Sequence, residues 1–301
     1  MKTAEMCRKA SVVAVIIVPF VATVWAIYKA VTEGVTAVSL GLFATMYVLT
    51  ILGVTVGWHR YFTHKGFTMS RPLVYFFGIF GAMAIEGTLI DWVSQHCTHH
   101  RHTDREGDPH SPVARRPVGL WQRATGMLHA HCLWMVSMDG ERDRKLIADL
   151  LEDPVAVRIN KYTSLWIVLG LALPTLVGWC VGGSRGALDG FLWGGLVRIF
   201  AVHQVTWSVN SICHLFGTEP YFSLDNSQNN WLVGVLALGE GYHNAHHAFE
   251  RSARHGLRWW EIDVSWYVIC LLEFLGYVSN IQTISPEQFK KNRERKERFK
   301  K

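Results

Sequence analysis

Three short strings concentrate the imidazoles of this chain: His59-Arg-Tyr-Phe-Thr-His64, His96-Cys-Thr-His99-His100 and His243-Asn-Ala-His246-His247. Eight of its 15 histidines lie there, and a ninth, His214, closes Asn210-Ser-Ile-Cys-His214. Imidazole is a common ligand for iron, zinc and copper. Nine candidates exceed what one ion can hold, so the pattern predicts two ions close together. On a helix, positions i, i+3 and i+4 share a face. His96, His99 and His100 obey that rule, as do His243, His246 and His247, so two facing helices would aim six rings at one cavity. Asn210 and His214 are also i, i+4. His59 and His64 are not: five residues turn an α-helix by about 140° from the starting face. With Gly66 close behind, the helix is expected to end near His64 and the second ring to swing back. The other histidines, His102, His110, His129, His131, His203 and His255, read as ordinary packing or surface residues. His203 lies inside an apolar segment and is the one among them that is a candidate for the tunnel wall or for supporting the site.

The elements that must carry these boxes are long and apolar. Residues 10–30, 37–57, 163–183 and 188–207 are each about twenty residues with almost no charge, enough to cross a bilayer core. The linkers 31–36 and 184–187 are short, so the segments pair as two antiparallel hairpins. Lysine and arginine gather before the first segment, through residues 59–162 and in the tail after 290. By the positive-inside rule both termini and the histidine boxes face the cytoplasm. Residues 72–90 are apolar but contain Gly78, Gly81, Glu86 and Gly87. A crossing there would separate His64 from His96, so an interfacial or re-entrant helix is expected. The expected fold is therefore all-α and integral to the membrane. Four transmembrane helices form two hairpins, and a cytosolic helical cap (59–162 and 208–301) holds a dimetal site in a single domain, 1–301.

Composition agrees. Half the residues are hydrophobic, 18% are charged and the net charge is +6. In such a chain the positive excess reads as loop topology, and no motif for nucleic acid accompanies it. The six cysteines form no C-x-x-C pair and read as reduced, packed thiols. The apolar run near Met1 is too long for a signal peptide and lacks a cleavage site, so it is expected to remain as the first span.

The three boxes, in this order and spacing, resemble those of the membrane fatty acyl desaturases, closer to the bacterial and plant branch than to the animal stearoyl-CoA branch. The supporting strings are Asp91-Trp-Val-Ser, Asp108-Pro-His-Ser-Pro112, Thr206-Trp-Ser-Val-Asn-Ser-Ile-Cys-His214, Gly239-Glu-Gly-Tyr and Ser252-Ala-Arg-His-Gly256. The likeness covers about residues 37–280. It implies that His59, His64, His96, His99, His100, His214, His243, His246 and His247 bind two irons, with Asn210 reaching one through water. The histidine set would also accept zinc. With O2 as co-substrate, such a centre inserts a cis double bond, delta-9 being the expected position, into a long saturated acyl chain. Glu240, Asp91, Asp104 and Asp108 are candidates to accept N–H bonds from ligand rings.

The resemblance marks Trp92, Thr206 and Trp207 as walls of an acyl tunnel near its bend. Tyr47 and Ile51, twelve and eight residues before His59, would lie about 18 and 12 Å from the metal end, where they could stop the methyl end. Basic residues Arg101, Arg105, Arg115, Arg116, Arg123, Arg142, Arg144 and Lys145 could meet CoA phosphates or anionic lipid. The animal branch has Arg-Asp before its second box, whereas Ser94-Gln95 stand here, so acyl-CoA and acyl-lipid substrates both stay open. The chain carries no haem, dinucleotide or iron–sulfur motif, which implies a separate electron donor of ferredoxin, rubredoxin or cytochrome b5 type. Two rival readings are a hydroxylase or alkane monooxygenase on similar boxes and, remotely, a metal transporter.

Overall fold

A computed structural model describes residues 2–113, 119–137 and 143–299. Its frame is helical. Helix α1 spans Lys2–Glu33 and α2 spans Ala37–Thr63, each running past the bounds expected from the apolar segments. Thr36 caps α2 by accepting from the Ser39 amide. The third and fourth apolar segments form two helical arms within the run Thr163–His214, paired as a hairpin as expected. This run folds back on itself at Gly182 and Gly183, where Gly183 adopts a positive φ of 59°. Element α7 (Thr163–Asp189) carries the first arm, the bend and the start of the second arm, which continues through the π-helical stretch Gly190–Val197 into α8 (Arg198–Ser211). The fold-back depends on glycine. A Cβ at Gly178 would stand 2.1 Å from the Gly186 carbonyl oxygen, and one at Gly190 would stand 2.2 Å from that of Pro174. Small residues let helix backbones approach closely where lipid supplies no hydrophobic drive.

The three long helical runs are apolar enough to cross a membrane by length and composition. Their outer faces remain apolar: Ile17, Phe20, Val24 and Ile27 of α1 and Leu165, Val168, Leu176 and Trp179 of α7 are exposed. Arg185 Nη2 lies 3.4 Å from Glu33 Oε2, so the two hairpin tips stand side by side. Both α2 and the second arm of the other hairpin, which runs on into α8, start near those tips. Their histidine-bearing ends therefore lie together at the opposite end of the bundle.

At that end the remaining chain folds over. Between the two halves lie α3 (Arg71–Ala82), α4 (Leu89–His102), α5 (Leu120–Leu128) and α6 (Pro154–Lys161). After α8 come α9 (Trp231–Leu236), α10 (His243–Ala248), α11 (Val264–Phe274) and α12 (Pro286–Phe299). The strands Thr68–Met69 and Val278–Ser279 pair antiparallel and tie the two parts together. One core gathers Trp58, Phe62, Val74, Leu89, Val93, Ile147 and Ile159, and another joins Val56, Phe67 and Phe77 to Ile269 and Val278. Burial of such side chains contributes about 1.5–3 kcal/mol each.

The single helix expected over 72–90 is not formed. Helix α3 ends at Ala82, and Ile85 and Gly87 take positive φ values of 62° and 96° before Thr88 caps α4. Two left-handed residues two positions from each other cannot continue a right-handed helix. The shorter α3 lies against the wide end of α2, where a Cβ on Gly53 would stand 2.2 Å from the Gly81 amide and Trp58 Nε1 donates to Gly78 O at 3.1 Å.

Candidate metal centre

His59 and His64 share a face because the last turns of α2 are π-helical, Gly53–Thr63. The His64 amide donates to the carbonyl of His59 at 3.1 Å, an i+5 bond. A π-turn closes over five residues instead of four and recurs at functional sites. The two rings end 4.8 Å apart. The five-residue spacing is thus met by widening the helix, without the swing-back expected from an α-helical start.

The other boxes keep their helical register on α4 and α10, and His214 ends the short 3-10 turn Ile212–His214 after α8. Together the nine rings make two sets. His59, His64, His96, His100 and His246 bring one nitrogen each within 4.8 Å of one another, and so do His99, His214, His243 and His247. In the first set, Nε2 of His96 stands 3.0 Å from that of His64 and 2.9 Å from that of His100. Nε2 of His246 stands 3.0 Å from that of His100 and 3.2 Å from that of His59. In the second set, Nε2 of His243 stands 3.0 Å from the Nε2 atoms of both His214 and His247.

These atoms fit metal ligands better than hydrogen-bond partners. Carboxylates hold the opposite nitrogen of four of these rings. Glu240 Oε2 lies 2.5 Å from His59 Nδ1, Asp108 Oδ1 3.0 Å from His99 Nδ1, Asp104 Oδ2 3.1 Å from His214 Nδ1 and Asp225 Oδ2 3.1 Å from His247 Nδ1. Glu250 Oε1 is 3.4 Å from His100 Nδ1. A neutral ring that donates through Nδ1 keeps only a lone pair on Nε2. Lone pairs facing one another at 3 Å repel unless a cation lies between them. Two ligands at about 2.1 Å from one ion and at right angles stand about 3.0 Å apart, against about 3.4 Å for a tetrahedral ion. The buried Nε2 of His99 has no hydrogen-bond partner in the structure, as expected of an atom reserved for a metal. Burial, then mutual repulsion, pushes His96, His99, His243, His246 and His247 well below the ordinary histidine value, which keeps them neutral and ready to ligate. Burial alone would raise Glu240, yet His59 and Arg60 hold it well below the carboxylate range.

Several of these supports were not foreseen. Asp225 and Glu250 lie outside the motifs. Asp91, expected to face a ligand ring, accepts from Thr88 Oγ1 at the start of α4. Arg60, fully buried between the halves of the first box, forks onto Glu240 and Asp263 and donates to Ala253 O at 2.8 Å. His110 and His255, expected to be bland, pack against the site. The His110 ring is 4.3 Å from that of His99, and the His255 ring is 4.6 Å from that of His246, with Nδ1 3.4 Å from Glu240. The spacing Ser252-Ala-Arg-His-Gly256 was the available signal for His255.

Trp92 stacks on His96 at 5.1 Å, and Trp92 and Tyr47 both pack against Val54, Ala84 and Val202. Tyr47 donates to Leu236 O at 2.8 Å, and Ile51 is wholly buried. Trp207 stacks on His203 at 4.7 Å, and His203 Nε2 donates to Ala84 O. Asn210 is partly buried one turn before His214. Of the basic residues, Arg101 pairs with Asp143 at 3.0 Å, while Arg115, Arg116 and Arg142 lie outside the described residues.

Comparison with known proteins agrees with this geometry. The profile of the family "Fatty acid desaturase" matches residues 35–269. The chain is 38% identical over 268 residues to a hex-5-enoyl-[acyl-carrier protein] acetylenase of Moorena producens, covering 88% of this chain and 84% of that protein. It is 38% identical over 252 residues to an sn-1 stearoyl-lipid 9-desaturase of Anabaena variabilis, covering 83% and 86%. It is 38% identical over 248 residues to a chloroplastic palmitoyl-monogalactosyldiacylglycerol delta-7 desaturase of Arabidopsis thaliana, covering 81% and 62%. The chain therefore belongs to the fatty acid desaturase family and is an oxidoreductase.

Proposed function

We propose that this enzyme inserts a cis double bond at C9 of a long saturated acyl chain carried on lipid or on CoA. The observation that carries the reading is the five-plus-four array of facing Nε2 atoms, with carboxylates behind the rings of both sets. His59, His64, His96, His100 and His246 would hold one iron, and His99, His214, His243 and His247 the other, with Asn210 contributing through water. Two irons bound there would supply the O2-dependent oxidation needed to remove hydrogen from adjacent unactivated carbons, leaving two waters. The protein's own part is to hold one carbon pair beside the rings and exclude bulk water. Trp92, Thr206 and Trp207 form the bend of the acyl path, and Tyr47 and Ile51 close its far end. The delta-9 position is the activity named for the Anabaena relative, and Tyr47 and Ile51 stand twelve and eight residues before His59 on α2.

The two hairpins cross the membrane four times, with α3 entering without crossing. The termini, the cap and the metal sets face the cytoplasm. Support comes from the basic N-terminus and tail and from Arg8, which donates to Met135 O at 3.1 Å and so brings the start of α1 to the histidine end. Electrons arrive from a separate ferredoxin, rubredoxin or cytochrome b5-like protein.

The test is fatty acid analysis, by gas chromatography with mass spectrometry, of cells producing the protein and a candidate donor, with His246→Ala as control. A new monounsaturated acid absent from the control supports the reading, and derivatisation locates the bond. A hydroxy acid instead would move the enzyme to hydroxylation. An acetylenic acid would align it with the Moorena relative.

A further inference from the structure

Helix α12 (Pro286–Phe299) fully buries none of its residues, yet one of its faces is tied to the cap. Phe289, Asn292, Lys296 and Phe299 recur at three- and four-residue steps, so they lie along one side of the helix. Asn292 grips the backbone of Phe222 at two points. Its Oδ1 accepts the Phe222 amide at 3.0 Å, and its Nδ2 donates to the Phe222 carbonyl at 2.9 Å. Lys296 donates to the carbonyl of Glu219. Phe299 packs on Phe222 at 4.7 Å, and Phe289 closes a three-ring group with Tyr221 and Phe249 at 5.6 and 5.4 Å. A helix of 14 residues is marginal alone in water, so these contacts hold it in place more than its own propensity does.

The segment that α12 grips carries the supports of one metal set. Residues 219–227 form a loop between α8 and α9 whose base is closed by the Thr218–Asn229 bridge. Asp225 Oδ2 lies 3.1 Å from His247 Nδ1. Asn226 gives its amide and its Nδ2 to Asp104 Oδ2 at 2.7 and 3.1 Å, and the same oxygen lies 3.1 Å from His214 Nδ1. The Tyr221 amide donates at 2.8 Å to Oδ1 of Asn244, inside the third box, and Asn244 Nδ2 donates to Ser223 Oγ at 3.2 Å. Phe249, which Phe289 covers, follows directly on α10. His214 and His247 both belong to the four-histidine set. Among the described residues, the hydrogen bonds of this loop support no ring of the five-histidine set.

We propose that α12 is a strap on the four-histidine set, with Asn292 as its positioning residue: by fixing Phe222 it holds the 219–227 loop so that Asp225 and Asn226 stand behind His247 and His214. The metal half of this statement rests on the two-ion reading, and the mechanical half does not. Asn292 bonds to no ring. It acts through Phe222 and along the loop to Asp225, and from there on His247. A loosened loop leaves His247 without the acceptor that sets its tautomer and strengthens its Nε2 as a donor to metal. Linkage makes the effect reciprocal. An ion held by the four rings fixes the loop, and the fixed loop holds α12. Alanine favours a helix more than asparagine does, so Asn292→Ala removes the grip on Phe222 without weakening the helix itself.

Two measurements test this on the full-length protein in detergent or nanodiscs. They compare the wild type with Asn292→Ala and with Glu294→Ala, which alters the outer face of α12. The first is hydrogen exchange read by mass spectrometry on metal-free protein, which needs neither ion nor substrate. Exchange across residues 219–227 should be about 10–100-fold faster in Asn292→Ala, the effect of losing two hydrogen bonds, and unchanged in Glu294→Ala. Unchanged exchange in Asn292→Ala, or an equal rise in both variants, overturns the strap. The second is anaerobic iron(II) loading against a competing chelator. Asn292→Ala should weaken one of the two affinities about tenfold and leave the other within about twofold. Added to Asp225→Asn it should cost less than about threefold more, because the contact through which it acts is already lost. The same tenfold loss in both backgrounds, weakening of both ions, or weakening of neither overturns the metal half. If neither set binds iron, the two-ion reading fails and the metal half fails with it, while the exchange result still decides whether α12 holds the loop.

Discussion

The carboxylate behind each metal set makes the two sets separable by experiment. Asp225 is the cleanest handle. Its Oδ2 lies 3.1 Å from His247 Nδ1, and its Oδ1 accepts the Ser227 amide at 2.9 Å within its own loop. Asp225→Asn preserves size and that loop contact but removes the charge that sets the His247 tautomer and strengthens its Nε2 as a donor. Losing such a support costs about 10–100-fold in metal affinity, or about 1.4–2.7 kcal/mol. The loss should fall on the four-histidine set, because Asp225 bonds to no ring of the five-histidine set. Anaerobic iron loading against a competing chelator resolves two affinities per chain. One should weaken by about 10–100-fold and the other by less than about threefold. The metal-free protein should lose only about 0.5–1.5 kcal/mol in unfolding, the contribution of one hydrogen bond. Equal weakening of both ions, or of neither, would refute the assignment of Asp225 to one set.

Other predictions concern the frame. Arg60→Leu strands Glu240 and Asp263 as buried carboxylates and should cost about 3–5 kcal/mol in urea unfolding. Arg60→Lys should recover little of it, since an ammonium cannot fork onto both partners. Gly178→Val forces a Cβ into the Gly186 carbonyl, 2.1 Å away, and should prevent the fold-back within α7, read as loss of a monodisperse peak in size-exclusion chromatography. Metal-free protein should lose stability as pH falls below the ordinary histidine value of 6.5. The buried rings have depressed values, so the unfolded chain takes up the protons first, and the unfolding midpoint should drop steadily from about pH 7 to pH 5. Tyr47→Ala should shift the product distribution toward longer acyl chains if Tyr47 closes the path, and an unchanged distribution would remove it from that role.

The nine histidines were legible because their spacings match helix faces and because chemistry demands their number. The apolar segments were equally plain, and the family strings tied both to one fold. What could not be read was how the chain bends where the site is built. The five-residue spacing of His59 and His64 marked the helix end, which does fall at His64, but it did not show that a π-helical last stretch would supply the shared face. The apolar run after Ser70 looked continuous, yet left-handed Ile85 and Gly87 break it. The supporting carboxylates Asp225 and Glu250 come from loops whose positions depend on tertiary packing, which spacing along the chain does not encode. Arg60 was hidden by its neighbours: an arginine between two ligands reads as a loop charge until its partners, 180 and 203 residues away, are in place.

The most direct test of the central claim is the number of metal ions per chain after anaerobic iron loading, measured by elemental analysis for wild type, His64→Ala and His243→Ala. Two separate adjacent sets predict two ions in the wild type and one in each variant, with a different ion lost in each. A single ion in the wild type, or loss of both ions from either variant in a protein that remains folded, would contradict it.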